Sequence, residues 1–259
     1  MTAPQWEKIE ELSAYCKQLK LSQRIVEHCK TRDSRDLEFL LELFASEISA
    51  RKSKRISMRL NLAGFPMLKT FDNYDFSGVT FPPSLRKEEL LELNFVEEKQ
   101  NLILYGPVGT GKTHMAVALG VMACQMDMNV RFYTVAGLVT KLGEHYRNGK
   151  LERLSKELSK LDLLILDEWG YVPVDRQGSQ LLFRIIGDSY ERNSLVVTTN
   201  LEFSKWGSIF TDEQMAAAMI DRLVHHGHLL AFEGQSYRLT HALMRKGMTK
   251  MMEGQDVVN

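Results

Sequence analysis

A glycine-rich loop between residues 106 and 113 has the residue types of a phosphate-binding site. In NLILYGPVGTGKTHMAVALG it matches G-x-x-x-x-G-K-[ST], after a stretch that predicts a strand and before one that predicts a helix. Its glycines let backbone N–H groups surround a phosphate, and the helix N-terminus adds its dipole. We expect Lys112 to contact the β- and γ-phosphates of ATP and the Thr113 hydroxyl to bind Mg²⁺. The predicted nucleotide-binding residues are Gly106, Pro107, Val108, Gly109, Thr110, Gly111, Lys112 and Thr113.

Two carboxylates end the apolar stretch LLILDE, 55 residues after Lys112. Ligands of open α/β sheets bind where the strands end, so this placement suits catalysis. We expect Asp167 to hold Mg²⁺, usually through water, and Glu168 to polarise the attacking water. The alternative is an acidic strand end that faces solvent. A base beside the magnesium aspartate favours hydrolysis over phosphoryl transfer to a small molecule, which usually needs an arginine-rich lid to exclude water.

Three further residues are candidates for contacts with the phosphates. Asn200 ends the stretch LVVTTN, and we expect it to contact the γ-phosphate or the attacking water, although asparagine is also common in turns. Arg222 lies near the C-terminal end of a predicted helix. A cation at that position interacts favourably with the helix dipole. Alternatively, Arg222 acts as an arginine finger on a neighbouring subunit's nucleotide. Arg238 is a second candidate for phosphate contact. The nearby His225, His226 and His228 lack metal-ligand spacing and favour a polar helix end.

A basic run between residues 51 and 59 contains no acidic residue. On one helix, Arg51, Arg55 and Arg59 share a face. A solvated helix face is the ordinary explanation, but the absence of acids within the run favours contacts with DNA phosphates. Without interleaved aromatic residues, we expect binding to duplex DNA with little sequence preference. The predicted DNA-binding residues are Arg51, Lys52, Lys54, Arg55 and Arg59, and the segment 141–160 is a second candidate.

The elements that position these residues change in type along the chain. The first sixty or so residues predict helices, including an apolar stripe within SRDLEFLLELFASEI that Asp33 or Ser34 can cap. An aromatic, turn-rich connector follows Gly64 and Pro66. Strands then alternate with helices, which predicts a parallel sheet covered on both faces. The predicted strands are 101–105, 130–134, 163–167, 195–199 and 228–232.

Composition narrows the class of protein. The formal net charge is zero, so a nucleic-acid surface must be a local patch. The three cysteines are scattered and form no C-x-x-C pair, which fits a reducing cytoplasm and argues against a zinc site. No apolar run reaches roughly 18 residues. We expect a cytoplasmic protein that does not associate with membranes.

The ordered motifs GPVGTGKT, LDEWG, TTN and IDRLVHHGH resemble the IstB-like branch of the AAA+ ATPases, the transposition helper ATPases related to DnaC-type helicase loaders. The connector RISMRLNLAGFPMLKTFDNYDF extends the resemblance over nearly the whole chain. It implies an α/β AAA+ P-loop NTPase core with a parallel five-stranded sheet, preceded by a small all-helical N-terminal domain. The expected divisions are a helical domain over 1–65, a connector over 66–99 and the ATPase domain over 100–259. The resemblance also implies the P-loop, magnesium and base roles named above, a sensor role for Asn200 and the finger role for Arg222.

The function that this resemblance implies is that of an insertion-sequence helper. Such a protein assembles with ATP as a homo-oligomer on duplex DNA, recruits or regulates a partner transposase and hydrolyses ATP to ADP and phosphate. The first alternative is a replicative helicase loader. An alternative of another class is a P-loop kinase for a small metabolite.

Overall fold

The computed structural model describes residues 3–171, 174–210 and 212–237. The chain forms two compact units, one ending at Met58 and the other beginning at Arg59. The sequence-based divisions after residues 65 and 99 stay predictions. No helix among the described residues is both long enough and apolar enough to cross a membrane.

The first unit is built from helices, as its apolar spacing predicts. These are α1 (Ala3–Leu19), α2 (Arg24–Cys29) and α3 (Ser34–Ala63), whose last turn belongs to the second unit. Asp33 caps α3, because its Oδ1 accepts the N–H of Asp36 at 2.9 Å. Apolar side chains from the three helices form the core of the unit, namely Ile9, Leu12, Cys16, Val26, Cys29 and Leu37.

The second unit contains a six-stranded sheet in the order β1-β6-β2-β5-β4-β3. The strands are β1 (Val79–Thr80), β2 (Asn101–Tyr105), β3 (Val130–Thr134), β4 (Leu163–Trp169), β5 (Ser194–Thr199) and β6 (Gly227–Phe232). The last five are the five predicted strands, and they pair with one another in parallel.

The predicted number of strands was wrong by one. The short strand β1 pairs antiparallel with the end of β6, so that Val79 faces Phe232. Two residues are too few to show the alternation by which a strand is recognised in sequence. The pairing depends on the connector folding back along the sheet, which local sequence does not encode.

Helices connect the strands and cover both faces of the sheet. They are α4 (Lys87–Leu91), α5 (Asn94–Glu97), α6 (Lys112–Gln125), α7 (Val135–Arg147), α8 (Leu151–Leu158), α9 (Arg176–Ser189), a 3₁₀ helix (Phe203–Ser208) and α10 (Glu213–His225). Side-chain oxygens cap three of them: Thr134 caps α7, Asp175 caps α9 and Asp212 caps α10.

Alternate residues of each central strand enter different cores, as strand geometry requires. In β4, Leu163 and Ile165 pack with α6 and the connector, whereas Leu164 and Leu166 pack with α7, α8, α9 and α10. Because the two cores hold the central strands from both sides, the ends of those strands are fixed relative to each other. The strand order places the end of β5 between the ends of β2 and β4, where the residues predicted to bind phosphate and metal lie.

Candidate nucleotide-binding site

The glycine-rich loop joins the end of β2 to the start of α6. Gly106 has φ of +151°, and a Cβ there would collide with the backbone oxygen of Phe232, so the position requires glycine. Lys112, which is 8% exposed, donates hydrogen bonds from Nζ to the carbonyl oxygens of Gly106 at 2.7 Å and Pro107 at 2.6 Å. The ammonium group is therefore held inside the loop, where a phosphate would replace these carbonyls as its partner.

The hydroxyl of Thr113 contacts the carboxylate of Asp167 across the sheet edge. Thr113 Oγ1 lies 2.9 Å from Oδ1 and 3.2 Å from Oδ2 of Asp167, which is 4% exposed. An alcohol beside a carboxylate is an oxygen donor set that suits Mg²⁺. The two residues predicted to hold the metal are thus adjacent, although they are 54 positions apart in sequence.

Two threonines of β5, which sequence reasoning did not single out, tie the site together. Thr198 Oγ1 donates to Oδ1 of Asp167 and accepts the backbone N–H of Glu168 at 3.0 Å. Thr199 Oγ1 donates to the carbonyl of Trp169 at 2.9 Å, and the Thr199 carbonyl accepts the N–H of Gly106 at 3.2 Å. The signal was present as two hydroxyl residues ending an otherwise apolar strand.

Glu168 projects from an irregularity in β4. Its φ is +62°, in the left-handed region that non-glycine residues rarely adopt, and the register with β5 shifts between Leu166 and Trp169. The shift leaves the Glu168 side chain exposed while Trp169 is fully buried against Trp206, with ring centroids 4.9 Å apart. Such backbone strain is common at functional sites, and here it directs a carboxylate outward beside the buried Asp167.

The aromatic connector packs against the start of α6. Tyr74 donates a hydrogen bond to the carbonyl of Gly111 at 3.4 Å, and its ring lies edge-on to His114 at 5.0 Å. The His114 ring nitrogen Nε2 lies 2.8 Å from the carbonyl of Thr70. Burial raises the pKa of the Tyr74 hydroxyl above its usual value, with the nearby Asp75 acting in the same direction. The connector therefore contacts the loop where it enters α6.

Asn200 and Arg238 are the other residues of this chain predicted to contact its own nucleotide, and the structure describes only Asn200. Asn200 directly follows β5 and is half-buried, at the same edge as Asp167. Tyr237 donates its backbone N–H to the carbonyl of Gly109 at 3.0 Å, which brings the segment after β6 onto the loop. Arg238 lies outside the described residues.

Arg222 lies near the opposite edge of the sheet. It is one residue before Leu223, whose carbonyl accepts a hydrogen bond at 3.2 Å from the side chain of Asn101, the first residue of β2. The loop follows the last residue of β2, and five extended residues span roughly 17 Å. Arg222 is therefore separated from its own chain's nucleotide site by the length of a strand.

The histidines beside Arg222 are engaged in separate contacts. The Tyr190 hydroxyl lies 2.7 Å from Nδ1 of His225, and Nε2 of His226 lies 3.1 Å from a carboxylate oxygen of Glu191. His228 is buried, and its ring nitrogens lie within hydrogen-bonding distance of Ser84 and Gln100. The described part of the chain holds no group of three or more His, Cys, Asp or Glu side chains placed to bind a metal ion.

The basic run lies on α3, and two of its arginines have acidic partners outside the run. Arg51 pairs with Glu47 one turn earlier at 2.6 Å and also donates to the carbonyl of Leu19 at 3.3 Å. Arg59 pairs with Asp127 at 2.7 Å. Lys52, Lys54 and Arg55 are exposed. The second candidate segment, 141–160, forms parts of α7 and α8, where Arg153 pairs with Glu157 at 3.2 Å. DNA contact at either segment stays a prediction.

The known proteins that this chain resembles include ATP-binding proteins, as its glycine-rich loop predicts. A family model described as IstB-like ATP binding protein matches residues 15–244. The chain is similar to the ATP-binding protein of insertion sequence IS5376 from Geobacillus stearothermophilus, with 34% identity over 89% of this chain and 94% of the relative. It is also similar to the ATP-binding protein of insertion sequence IS21 from Pseudomonas aeruginosa, with 37% identity over 90% of this chain and 85% of the relative.

Two solved structures share the fold over about two thirds of this chain. DnaI matches with a TM-score of 0.52 and 17% identity, over 66% of this chain and 90% of that chain. AMPPCP-bound DnaA from Aquifex aeolicus matches with a TM-score of 0.50 and 18% identity, over 68% of this chain and 54% of that chain. At these identities the likeness concerns the fold alone.

Proposed function

Because the chain belongs to the IstB-like family of insertion-sequence ATP-binding proteins, with an α/β P-loop AAA+ fold, we propose that it is an ATPase that assists transposition. In this proposal it hydrolyses ATP to ADP and phosphate, assembles on duplex DNA in the cytoplasm and acts with a partner transposase. The family of its relatives favours this role over that of a helicase loader.

The contact between Thr113 and Asp167 is the observation that carries the catalytic part of the proposal. It joins the glycine-rich loop to the carboxylate strand, and these two oxygen donors would hold Mg²⁺. The metal, when bound, neutralises charge on the β- and γ-phosphates. Lys112 binds the same phosphates, Glu168 orients and polarises the attacking water, and Asn200 contacts the γ-phosphate or that water.

The paired variants Thr113→Ser and Thr113→Val test the catalytic part. Serine keeps the hydroxyl that faces Asp167, whereas valine keeps the shape and removes it. We expect phosphate release from ATP without any acceptor to persist in the serine variant and to fail in the valine variant at all Mg²⁺ concentrations. Equal rates for the two variants would contradict the metal role. Phosphate release that requires an added small-molecule acceptor would favour a metabolite kinase instead.

The DNA part of the proposal is supported by the exposed lysines of the basic run. Because Arg51 and Arg59 hold ion pairs within the protein, Lys52 and Lys54 are the cleaner probes of phosphate contact. Each lost phosphate contact reduces the salt slope of binding by roughly 0.9, so removing both should reduce it by about 1.8. The weakening should be similar for unrelated duplex sequences, because phosphate contacts carry no sequence information.

A matched control removes the same charge elsewhere in the first unit. Lys17 and Lys30 are exposed lysines outside the run. We expect Lys52→Ala/Lys54→Ala to weaken binding and flatten its salt dependence, while Lys17→Ala/Lys30→Ala leaves both unchanged. If the two double variants bind alike, the run is a solvated helix face, and the segment 141–160 becomes the candidate DNA surface.

ATP-driven assembly is supported by the position of Arg222. Since Arg222 lies a strand's length from its own chain's nucleotide, a finger role requires a second copy. Mixing Arg222→Ala protein with Lys112→Ala protein should restore part of the ATPase activity, because one supplies an intact pocket and the other an intact finger. A rate that is independent of protein concentration, from a chain that stays monomeric with ATP, would exclude this arrangement.

A further inference from the structure

The side chain of Arg222 on α10 contacts an aromatic ring of α9. Its guanidinium carbon lies over the ring of Phe183, 4.4 Å from the ring centroid. Phe183 is itself half-buried and packs against the core formed by α7, α8, α9 and α10. One turn later on α9, a Cβ at Gly187 would lie 3.2 Å from Nη1 of Arg222. On α9, the ring of Phe183 therefore contacts the guanidinium, and the lack of a side chain at Gly187 leaves room for it.

We propose that Phe183 is a positioning residue, which holds Arg222 in the orientation needed to reach the γ-phosphate of ATP bound by a second copy of this chain. This inference rests on the proposed finger role of Arg222. Phe183 itself touches neither nucleotide nor metal. Its effect on turnover therefore passes through Arg222.

The chemistry of the contact fits this role. A guanidinium over an aromatic face is stabilised by the ring's negative quadrupole, and this contact uses no oxygen acceptor. The five N–H donors of arginine are directed outward in the plane of the group and stay available for phosphate oxygens. A long side chain also loses much rotamer freedom when it is ordered, so ordering it before the subunits meet reduces the loss at assembly.

The ring of Phe183 is itself held in place by the core of the second unit. Phe183 is one of the partly buried residues around the core, so its position follows from packing. Arg184, the next residue, instead pairs with Glu152 at 2.7 Å. These neighbours on α9 therefore have separable roles: Arg184 joins α9 to α8, and Phe183 supports α10.

Substitutions at Phe183 separate the ring contact from simple packing. Phe183→Leu keeps an apolar side chain but removes the ring, whereas Phe183→Tyr keeps the ring face. We expect the leucine variant to lower ATP turnover of the assembled protein by about 2- to 30-fold, the range of a lost cation–π contact, without changing ATP affinity. The tyrosine variant should recover most of that loss. Arg184→Ala serves as the control for a general disturbance of α9.

A double variant shows whether Phe183 acts through Arg222. If it does, Phe183→Leu/Arg222→Ala should turn over ATP at the rate of Arg222→Ala alone, since the supported group is already absent. In a mixture with Lys112→Ala protein, the intact pockets of the Phe183→Leu protein should regain turnover from partners that carry an intact Phe183–Arg222 pair.

The outcomes distinguish this inference from the proposed function. Wild-type turnover in Arg222→Ala would overturn the finger role itself. Slow Arg222→Ala together with wild-type turnover in Phe183→Leu would overturn only the positioning role. A double variant slower than Arg222→Ala, or a leucine variant that Lys112→Ala protein does not rescue, would show that Phe183 acts on its own pocket and would equally overturn it.

Discussion

The two edges of the parallel sheet differ in how their polar groups are satisfied. At the edge where the strands end, Thr113 of α6 and Thr198 of β5 both donate hydrogen bonds to Asp167 of β4, so the three residues form one hydrogen-bonded set. At the edge where the strands begin, Arg222 lies over the ring of Phe183. The first edge satisfies its polar groups by hydrogen bonds around a buried carboxylate, which suits the proposed binding of phosphate and metal, whereas the second presents a cation that lies over an aromatic ring.

The two edges lie a strand's length apart, so residues from both cannot contact the same nucleotide within one chain. Asn101 donates its side-chain amide to the carbonyl of Leu223 and its backbone N–H to the carbonyl of His226, and these two contacts join the end of α10 to the start of β2. The glycine-rich loop follows the other end of the same strand. In the proposed assembly, the completed nucleotide site combines the strand-end edge of one copy with the strand-start edge of the next.

The largest expected effect contrasts two residues of the strand-end edge. Glu168→Gln should still bind ATP, because Lys112 and Thr113 are unchanged, but turnover should fall by about 10²- to 10⁴-fold through loss of the base. Lys112→Ala should lose nucleotide binding itself. Measuring nucleotide affinity and phosphate release for both variants tests the division of roles. Normal turnover in the Glu168 variant would remove that residue from the mechanism.

An intermediate effect is expected at Thr198, which links Asp167, the proposed metal ligand, to Glu168, the proposed base. Thr198→Val removes the hydroxyl that contacts Asp167 and the N–H of Glu168 while keeping the branched shape. Leaving these buried groups without that partner should cost about 1–3 kcal/mol in the free energy of unfolding and raise the Mg²⁺ concentration needed for half-maximal turnover. Thr198→Ser, which keeps the hydroxyl, is the matched control for both measurements. If Thr198→Val matched the wild type in Mg²⁺ dependence, the link would be structural only.

The smallest expected effect concerns a histidine near the strand-start edge. His228 is 8% exposed; its Nδ1 lies 2.8 Å from Ser84 Oγ, and its Nε2 lies 2.7 Å from Gln100 Oε1. Burial lowers the pKa of His228 below its usual value, although Glu98 and Glu89 act in the opposite direction. The unfolded chain then binds this proton more readily than the folded one. Stability from this group is therefore present above about pH 6.5 and is lost as the pH falls through the folded pKa.

Denaturant unfolding of wild type and His228→Gln at pH 7.5 and pH 5 checks this expectation. The loss of stability between the two pH values should be smaller in the variant. His28→Gln, at an exposed position of the first unit, should show the wild-type loss. An identical loss in all three proteins would assign the pH dependence to other groups.

Sequence reasoning succeeded where chemistry follows from local pattern. The five longer strands and the helices of the first unit were confirmed, because apolar periodicity reports burial directly. The contact of Thr113 with Asp167 could be anticipated, because parallel strands end at one edge. The strand β1, the roles of Thr198 and Thr199 and the turned-out Glu168 could not, because each depends on register between distant segments.

The basic run between residues 51 and 59 shows that charge counted in a short segment can mislead. Its lack of acids is a property of residues 51–59, but the acids that pair with Arg51 and Arg59 lie one turn earlier and on a distant loop. Charge counted within a short segment therefore overstates the cations available to an outside partner. The partner of Arg51 can be recognised from its spacing on the helix, whereas the pairing of Arg59 with Asp127 is visible only in the tertiary structure.

By itself, the sequence determined the family, the phosphate-binding loop, the carboxylate pair and the alternation of strands and helices, since each is encoded in residues close together along the chain. The tertiary structure alone decided which side chains meet: Thr198 on Asp167, Tyr74 on Gly111 and Phe183 under Arg222. The physical reason is that hydrogen bonds and ring contacts act over a few ångströms, and strand order and helix packing decide which distant residues come within that range.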